Sequence, residues 1–263
     1  MKITDLFFSH AVVVVVALTV VVVAEKSKPA VVFCMPTAKR NVSYLDQVIK
    51  SYNNQGIFQM DGVMLAVLDV DGSTVDARNT TTTIPLHNRI TSKCTTTTTV
   101  DTGLVPSCQV RQQGLDITSA LMQCAKKPLT TTTTTSPGWV VLVEDDCEAC
   151  NGALVEVLDV LLLLGSMKKK NTIAMVKFSK FVRATAFPVD LVPMYVESVR
   201  DRLYDFPYDV TMIEQWAPGR KMHVHTRNLF HHIGHVSTES TRNEDAYRTA
   251  YAELRGNKCF EKL

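Results

Sequence analysis

Apolar and polar positions fall along this chain in blocks whose lengths separate strands from helices. Val31-Val32-Phe33-Cys34-Met35, introduced by Pro29-Ala30, is a continuous apolar run that predicts a core strand stopped by Pro36. Beyond a polar loop, Thr37 to Asn41, the residues Leu45, Val48, Ile49 and Tyr52 recur at i, i+3, i+4 and i+7. That period predicts one buried helix face, with Ser43 as N-cap and an end near Asn53-Asn54-Gln55-Gly56. Val63 to Leu68 is again continuously apolar and ends at Asp69-Val70-Asp71-Gly72. Strand, helix and strand within about 45 residues open a βαβ unit, with a parallel sheet buried on both faces.

Between Asn79 and Pro137 three threonine tracts, Thr80 to Thr83, Thr95 to Thr99 and Thr130 to Thr135, interrupt the pattern, and Leu115 to Ala125 is the helical patch there. The tracts suit exposed, O-glycosylated loops, and β-branched threonine equally suits irregular edge strands. The pattern then sharpens. Gly138-Trp139-Val140-Val141-Leu142-Val143 predicts a buried strand that runs directly into Glu144-Asp145-Asp146-Cys147. Asn151 is placed to cap a helix through Leu154, Val157, Leu158, Leu161 and Leu162, closed by Gly165 and Lys168-Lys169-Lys170. Asn171 to Phe178 predicts a strand. Asp190 is placed to cap a helix through Leu191, Met194, Tyr195, Val199 and Leu203, with Pro193 in its first turn. Glu244 to Arg255 predicts a terminal helix.

The N-terminal block is of another kind. Lys2 precedes a stretch from Leu6 to Ala24 that is apolar except for Ser9, His10 and Thr19 and mostly valine from Ala11 to Leu18 and Val20 to Ala24, after which Glu25-Lys26-Ser27-Lys28 is polar. Residues 1–24 read as a signal anchor, nearly the ~20 residues that span hydrocarbon, or as a signal peptide cleaved after Val22-Val23-Ala24. Residues 25–28 are then a short stem, and 29–263 the folded domain with threonine-rich loops in 79–137. Either reading sends the domain to the secretory pathway, where Asn41-Val42-Ser43 and Asn79-Thr80-Thr81 are glycosylation sequons and cysteines meet oxidising conditions.

Composition adds limits. With 46% hydrophobic and 21% charged residues the chain is globular in type, and 28 basic against 26 acidic residues give a net charge of +2. No field of that size points to nucleic acid, so any anion must be bound locally. The seven cysteines are an odd number, leaving at least one outside an intrachain disulfide. Cys147-Glu148-Ala149-Cys150 lacks the second pair that a zinc site of this spacing uses, and reads as a disulfide or as buried thiols.

The chemistry gathers at the acidic strand end. In open α/β sheets ligands bind outside the carboxyl ends of strands, so Glu144, Asp145 and Asp146 deliver hard oxygen ligands where a ligand would sit. The alternative is a solvated acidic turn. A second acidic stretch, Asp205-Phe206-Pro207-Tyr208-Asp209, follows the Asp190 helix. Farther on, Lys221 to His235 holds five histidines, with His223 and His225 on one strand face and His231 and His232 on opposite faces. A neutral imidazole brought to the carboxylates would make a mixed oxygen and nitrogen site suited to Mn2+.

Several short segments occur in the order of a known family. Pro36-Thr37-Ala38-Lys39-Arg40 with Tyr44-Leu45, Val143-Glu144-Asp145-Asp146, Lys177-Phe178-Ser179, Asp190-Leu191, Pro207-Tyr208-Asp209 and Asn228-Leu229-Phe230-His231-His232-Ile233-Gly234 resemble GT-A glycosyltransferases. Within these they are most similar to the N-acetylglucosaminyltransferase IV family and its relative, the GPI-glycan GalNAc transferase. The resemblance covers roughly residues 30 to 75 and 138 to 240. It implies a GT-A, Rossmann-like fold, a mixed and mostly parallel sheet flanked by helices. It also implies Mn2+-dependent transfer of GlcNAc or GalNAc from a UDP-sugar to a glycan on a glycoprotein or GPI. The place would be the Golgi or ER membrane, with a lumenal catalytic domain on a single type II span, or secretion.

By the same resemblance Asp146 and His232 are metal ligands, with His231 the alternative one register away. Glu144 and Asp145 contact ribose and sugar hydroxyls, and Thr37, Lys39 and Arg40 meet the nucleotide, the alternative for Lys39 and Arg40 being a solvated loop. Asp209, or else Asp205, takes the acceptor proton. Asp209 also suits a helix cap before Ile213 and Trp216. The stretch after Ser179, here Lys180-Phe181-Val182-Arg183, departs from the small, glycine-bearing pattern of the family. Two other readings compete: an inactive carbohydrate-binding protein of this fold, and a receiver domain, whose first strand Val140 to Asp146 resembles while the rest of its pattern is missing.

Overall fold

A computed structural model of the chain describes residues 30–38, 44–70, 83–87, 89–91, 108–126, 138–166, 173–179, 184–203, 220–233, 259 and 260. The targeting segment, the stem, both sequons, Ser43, most of the threonine tracts, the lysine run 168–170, the acidic stretch 205–209, Trp216 and the terminal helix lie outside them. Among the described residues no helix is long and apolar enough to cross a membrane.

The apolar runs became strands and the 3.6-residue periods became helices. In chain order these are β1 (Val31–Thr37), α1 (Leu45–Asn54), β2 (Val63–Asp69), β3 (Thr83–Pro85), α2 (Cys108–Ala125), β4 (Trp139–Val143) and β5 (Cys147–Ala149). They continue with α3 (Ala153–Ser166), β6 (Ile173–Lys177), β7 (Ala184–Pro188), α4 (Val192–Arg202), β8 (Lys221–Val224) and β9 (Phe230–His232). Seven strands form one sheet in the order β3-β2-β1-β4-β7-β6-β8, and β5 pairs with β9 in a second. β1 runs parallel to β2 and β4, and β2 to β3. β7 is antiparallel to both β4 and β6. The sheet is thus mixed and mostly parallel, the expected α/β class.

Strand alternation decides which core each side chain enters. On β1, Val31, Phe33 and Met35 join one cluster with Leu45, Val48 and Tyr52 of α1 and Leu154, Val157 and Leu161 of α3. Val32 and Cys34 point the other way, to Leu115 and Leu121 of α2 and Tyr195 and Val199 of α4. β4 divides in the same manner, Trp139, Val141 and Val143 against Val140 and Leu142. Both faces are covered, which is why these strands are continuously apolar. A disulfide between Cys34 and Cys124 ties β1 to α2.

Some boundaries differ from expectation for identifiable reasons. β1 continues through Pro36, which pairs with Leu68, because β4 pairs only with Val31 to Cys34 and has left that edge open where the proline lacks its N–H. Asp190 does not cap α4. It lies exposed in a 3-10 turn, Val189–Leu191, so that Leu191 precedes the helix and Met194 faces outward while Val192 and Val196 are buried instead. α3 starts after Gly152, whose φ of 81° suits glycine, rather than at Asn151, and continues past Gly165 to Ser166. Thr83, the last of its tract, is in edge strand β3.

A candidate cation site at the strand crossover

The chain leaves β1 toward β2 on one side and returns as β4 on the other, so the carboxyl ends of β1 and β4 flank a topological switch point, the usual ligand crevice of such sheets. Thr37 is the last residue of β1, and Glu144, Asp145 and Asp146 immediately follow β4. The Thr37 hydroxyl donates to Asp145 Oδ2 at 2.8 Å, and both residues are buried. This bond fixes one carboxylate across the crevice.

The short second sheet brings in the histidine. β5 and β9 are antiparallel, with Cys147 opposite His232, Glu148 opposite His231 and Ala149 opposite Phe230. Ile233 N donates to Asp146 O at 2.9 Å and Cys150 N to Leu229 O at 3.0 Å, so β9 follows the acidic segment at both ends. His232 Nε2 consequently lies 3.2 Å from Asp146 Oδ2, both side chains nine-tenths buried. His231 is set one register away, opposite Glu148, whose carboxylate accepts from Gln47 at 2.8 Å.

The structure therefore gathers Thr37, Glu144, Asp145, Asp146 and His232 from the residues singled out in the sequence. Lys39, Arg40, Asp205 and Asp209 lie outside the described residues. One neighbour was not anticipated. Cys147 does not pair with Cys150, which instead bonds Cys259. Its sulfur is 3.9 Å from both Glu144 Oε2 and Asp146 Oδ1. Ligand atoms of Glu144, Asp146 and Cys147 all lie within 4.8 Å of one another. With the imidazole beside them, two carboxylates and a thiol are a donor set that suits a divalent cation.

What holds β9 in place was also not legible as a site. The Cys150–Cys259 disulfide and a bond from Phe260 N to Asn228 O, 2.7 Å, fasten residues 259 and 260 beside it, with the Arg227 guanidinium 5.2 Å above the Phe260 ring. Glu156 of α3 accepts from Arg227 Nη2 at 2.6 and 2.8 Å and meets His225 Nε2 at 2.8 Å. Burial opposes ionisation of Glu156, but the bonds and charges of Arg227 and His225 outweigh it and hold its pKa below the ordinary 4.5. A depressed folded pKa contributes stability that is present above the unfolded value and lost as pH falls through the folded one. Glu156→Gln should thus be less stable than wild type at about pH 6, with the gap closing below about pH 4 in urea titrations. Arg227 is half exposed, so the gap should stay under about 1 kcal/mol.

No protein-family model matches the chain, and no curated protein matches it. Among solved structures the chain is similar to a mannosyltransferase from Pyrobaculum calidifontis in complex with GDP-Man and Mn2+, at 13% identity and a TM-score of 0.46. That match covers 89% of this chain and 66% of the other, so the chain spans about two thirds of the mannosyltransferase. It is also similar to a glucosyl-3-phosphoglycerate synthase from Mycobacterium tuberculosis in complex with Mn2+ and UDP-glucose. There the identity is 14%, the TM-score 0.43, and the coverage 88% of this chain and 80% of that one.

Proposed function

We propose that this protein is a GT-A glycosyltransferase that uses Mn2+ to transfer an N-acetylhexosamine, GlcNAc or GalNAc, from its UDP-sugar to a glycan acceptor of the N-glycan or GPI type. The observation that carries the reading is the approach of His232 Nε2 to Asp146 Oδ2, 3.2 Å, beside the switch point between β1 and β4. Acceptor and membrane setting are read from the ordered motifs and from the apolar segment 1–24, which suits an anchor in the Golgi or ER with the domain in the lumen.

Asp146 and His232 are the residues that would hold the ion. When bound, a divalent cation supplies Lewis-acid stabilisation to the charge developing on a departing diphosphate. Asp145, immobilised by Thr37, is ready to accept from ribose or sugar hydroxyls without spending entropy on orientation, and Glu144 is half-buried beside it. Lys39 and Arg40 follow β1 directly in sequence and are assigned to the nucleotide. In the reaction the acceptor oxygen forms a bond to the anomeric carbon as the bond from that carbon to UDP breaks. Asp209, or Asp205, takes the acceptor proton, which gives inversion in one displacement.

The test is release of UDP by the full chain from UDP-GlcNAc and UDP-GalNAc in the presence of Mn2+. Turnover of one donor, lost on chelation and restored by Mn2+, is expected. Folded protein that binds Mn2+ yet turns over neither donor, with or without N-glycan and GPI acceptors, would overturn the transferase assignment.

A further inference from the structure

β5 follows the acidic turn directly, and β9 pairs with one of its edges. The other edge meets the side of a helix. Ala149 is buried, and both of its backbone groups end on side chains from the α1 segment: its N–H donates to Ser51 Oγ at 3.1 Å, and its carbonyl accepts from Gln55 Nε2 at 2.9 Å. Gln55 Oε1 accepts in turn from Leu154 N, 3.2 Å, at the start of α3, and Gln47 Nε2 donates to Glu148 Oε1 at 2.8 Å. Gln47, Ser51 and Gln55 are spaced four apart, so they form one line along α1 and just past its end.

These contacts suit a strand edge. The Ser51 hydroxyl donates its proton to Val48 O at 2.7 Å, which turns its oxygen into an acceptor for Ala149 N. The Gln55 amide supplies a donor and an acceptor at once. Buried backbone groups without partners are costly, so a three-residue strand with one edge open would not keep a single position. The line of side chains closes that edge as a further strand would.

Position matters because Asp146 immediately precedes β5 and His232 stands opposite Cys147, the first residue of β5. The β1–α1 unit thus grips the acidic turn twice: Thr37 holds Asp145 within it, and Ser51 and Gln55 hold Ala149 just after it.

We propose that Ser51 and Gln55 are positioning residues of the cation site: they set where β5 stands against α1 and, through β5, the 3.2 Å approach of His232 to Asp146. The site is thereby shaped before any ion enters. The inference rests on the cation site proposed above and adds residues that act through β5 rather than on the ion.

Mn2+ binding to the full chain, disulfides intact, followed by electron paramagnetic resonance and read beside the metal-free melting temperature, tests it without recourse to turnover. Gln55→Met, which keeps the length and removes both polar atoms, should weaken binding about fivefold and Ser51→Ala about threefold, below the roughly 10- to 100-fold typical of groups bonded directly to a ligand. Ser51→Thr, which retains a hydroxyl, should bind as wild type. Ser119→Ala controls for lost stability alone, because that hydroxyl bonds Leu115 O at 2.8 Å within α2, a helix on the opposite face of the sheet, and its removal should leave the affinity unchanged. Wild-type affinity in folded Gln55→Met and Ser51→Ala, with only the melting temperature lowered, overturns the proposal, and Ser51→Ala decides alone if Gln55→Met does not fold. A loss in Ser51→Thr or Ser119→Ala equal to that in Ser51→Ala overturns it as well. Weakened binding in the variants without donor turnover by wild type keeps this inference and removes the transferase reading, and donor turnover with unchanged binding in the variants does the reverse. Failure of wild type to bind any divalent ion removes both.

Discussion

Replacing Asp146 with asparagine is expected to lower UDP release at least about 10²-fold, while the melting temperature without metal stays level or rises. The two halves of this result have separate causes. Asparagine keeps an oxygen within reach of His232 Nε2, so the 3.2 Å contact survives in shape, but the charge proposed to hold a divalent ion is gone. Lewis-acid stabilisation of a leaving diphosphate is worth several kcal/mol, and each ~1.4 kcal/mol is tenfold in rate. Three consecutive carboxylates, two of them buried, meanwhile repel one another in the metal-free protein. Removing one relieves that repulsion, the exchange of stability for function usual at active sites. Donor turnover and a thermal melt on the same preparation check it. Joint loss of activity and fold would show that Asp146 serves the architecture alone.

The largest effect on stability is expected from the double change Cys150→Ser with Cys259→Ser. The disulfide spans 109 residues of sequence, and losing such a cross-link typically costs ~2–5 kcal/mol through the freedom regained by the unfolded chain. A two-stranded ribbon is marginal in water, and β5 with β9 has only three paired residues on each strand. His232 should therefore lose its position along with the cross-link, and Mn2+ affinity should fall roughly tenfold. The comparison that isolates this cause is Cys34→Ser with Cys124→Ser. Its 90-residue span gives nearly the same entropic penalty, but it joins β1 to α2 on the far face of the sheet. That variant should have a similarly lowered urea midpoint with ion affinity intact. Equal losses of affinity in both would mean that global loosening, rather than β9, governs the site.

Where burial alone dictates structure, the sequence was readable. Val31 to Met35, Val63 to Leu68 and Val140 to Val143 are apolar at every position because helices cover both faces, and Leu45, Val48, Ile49 and Tyr52 are all buried as their spacing requires. β7 was not legible. Ala184-Thr185-Ala186-Phe187-Pro188 has small residues and a terminal proline, and it is a strand because β4 and β6 lie on either side of it. Polar residues before the helices misled at Asp190, since a 3-10 turn served the entry that a side-chain cap would have served. At the site, the meeting of Asp146 with His232 followed from motif order, whereas the bond from Thr37 to Asp145 was not anticipated. Nor was the place of Cys147, because CxxC spacing says nothing of which partner the sheet will offer.

The proximity of Thr37, Asp145, Asp146 and His232 also dictates a sequence of events. The Thr37 to Asp145 bond joins positions 108 apart and the His232 to Asp146 contact positions 86 apart, so both contacts that bring other strands to the acidic turn are long-range ones. Such contacts form late, after costly loop closures, and no short stretch of the nascent polypeptide offers the complete donor set. On the proposed cation site, loading with metal would then follow folding rather than nucleate it. On the same proposal, a cell starved of the ion would accumulate finished, idle molecules that a single addition of metal switches on.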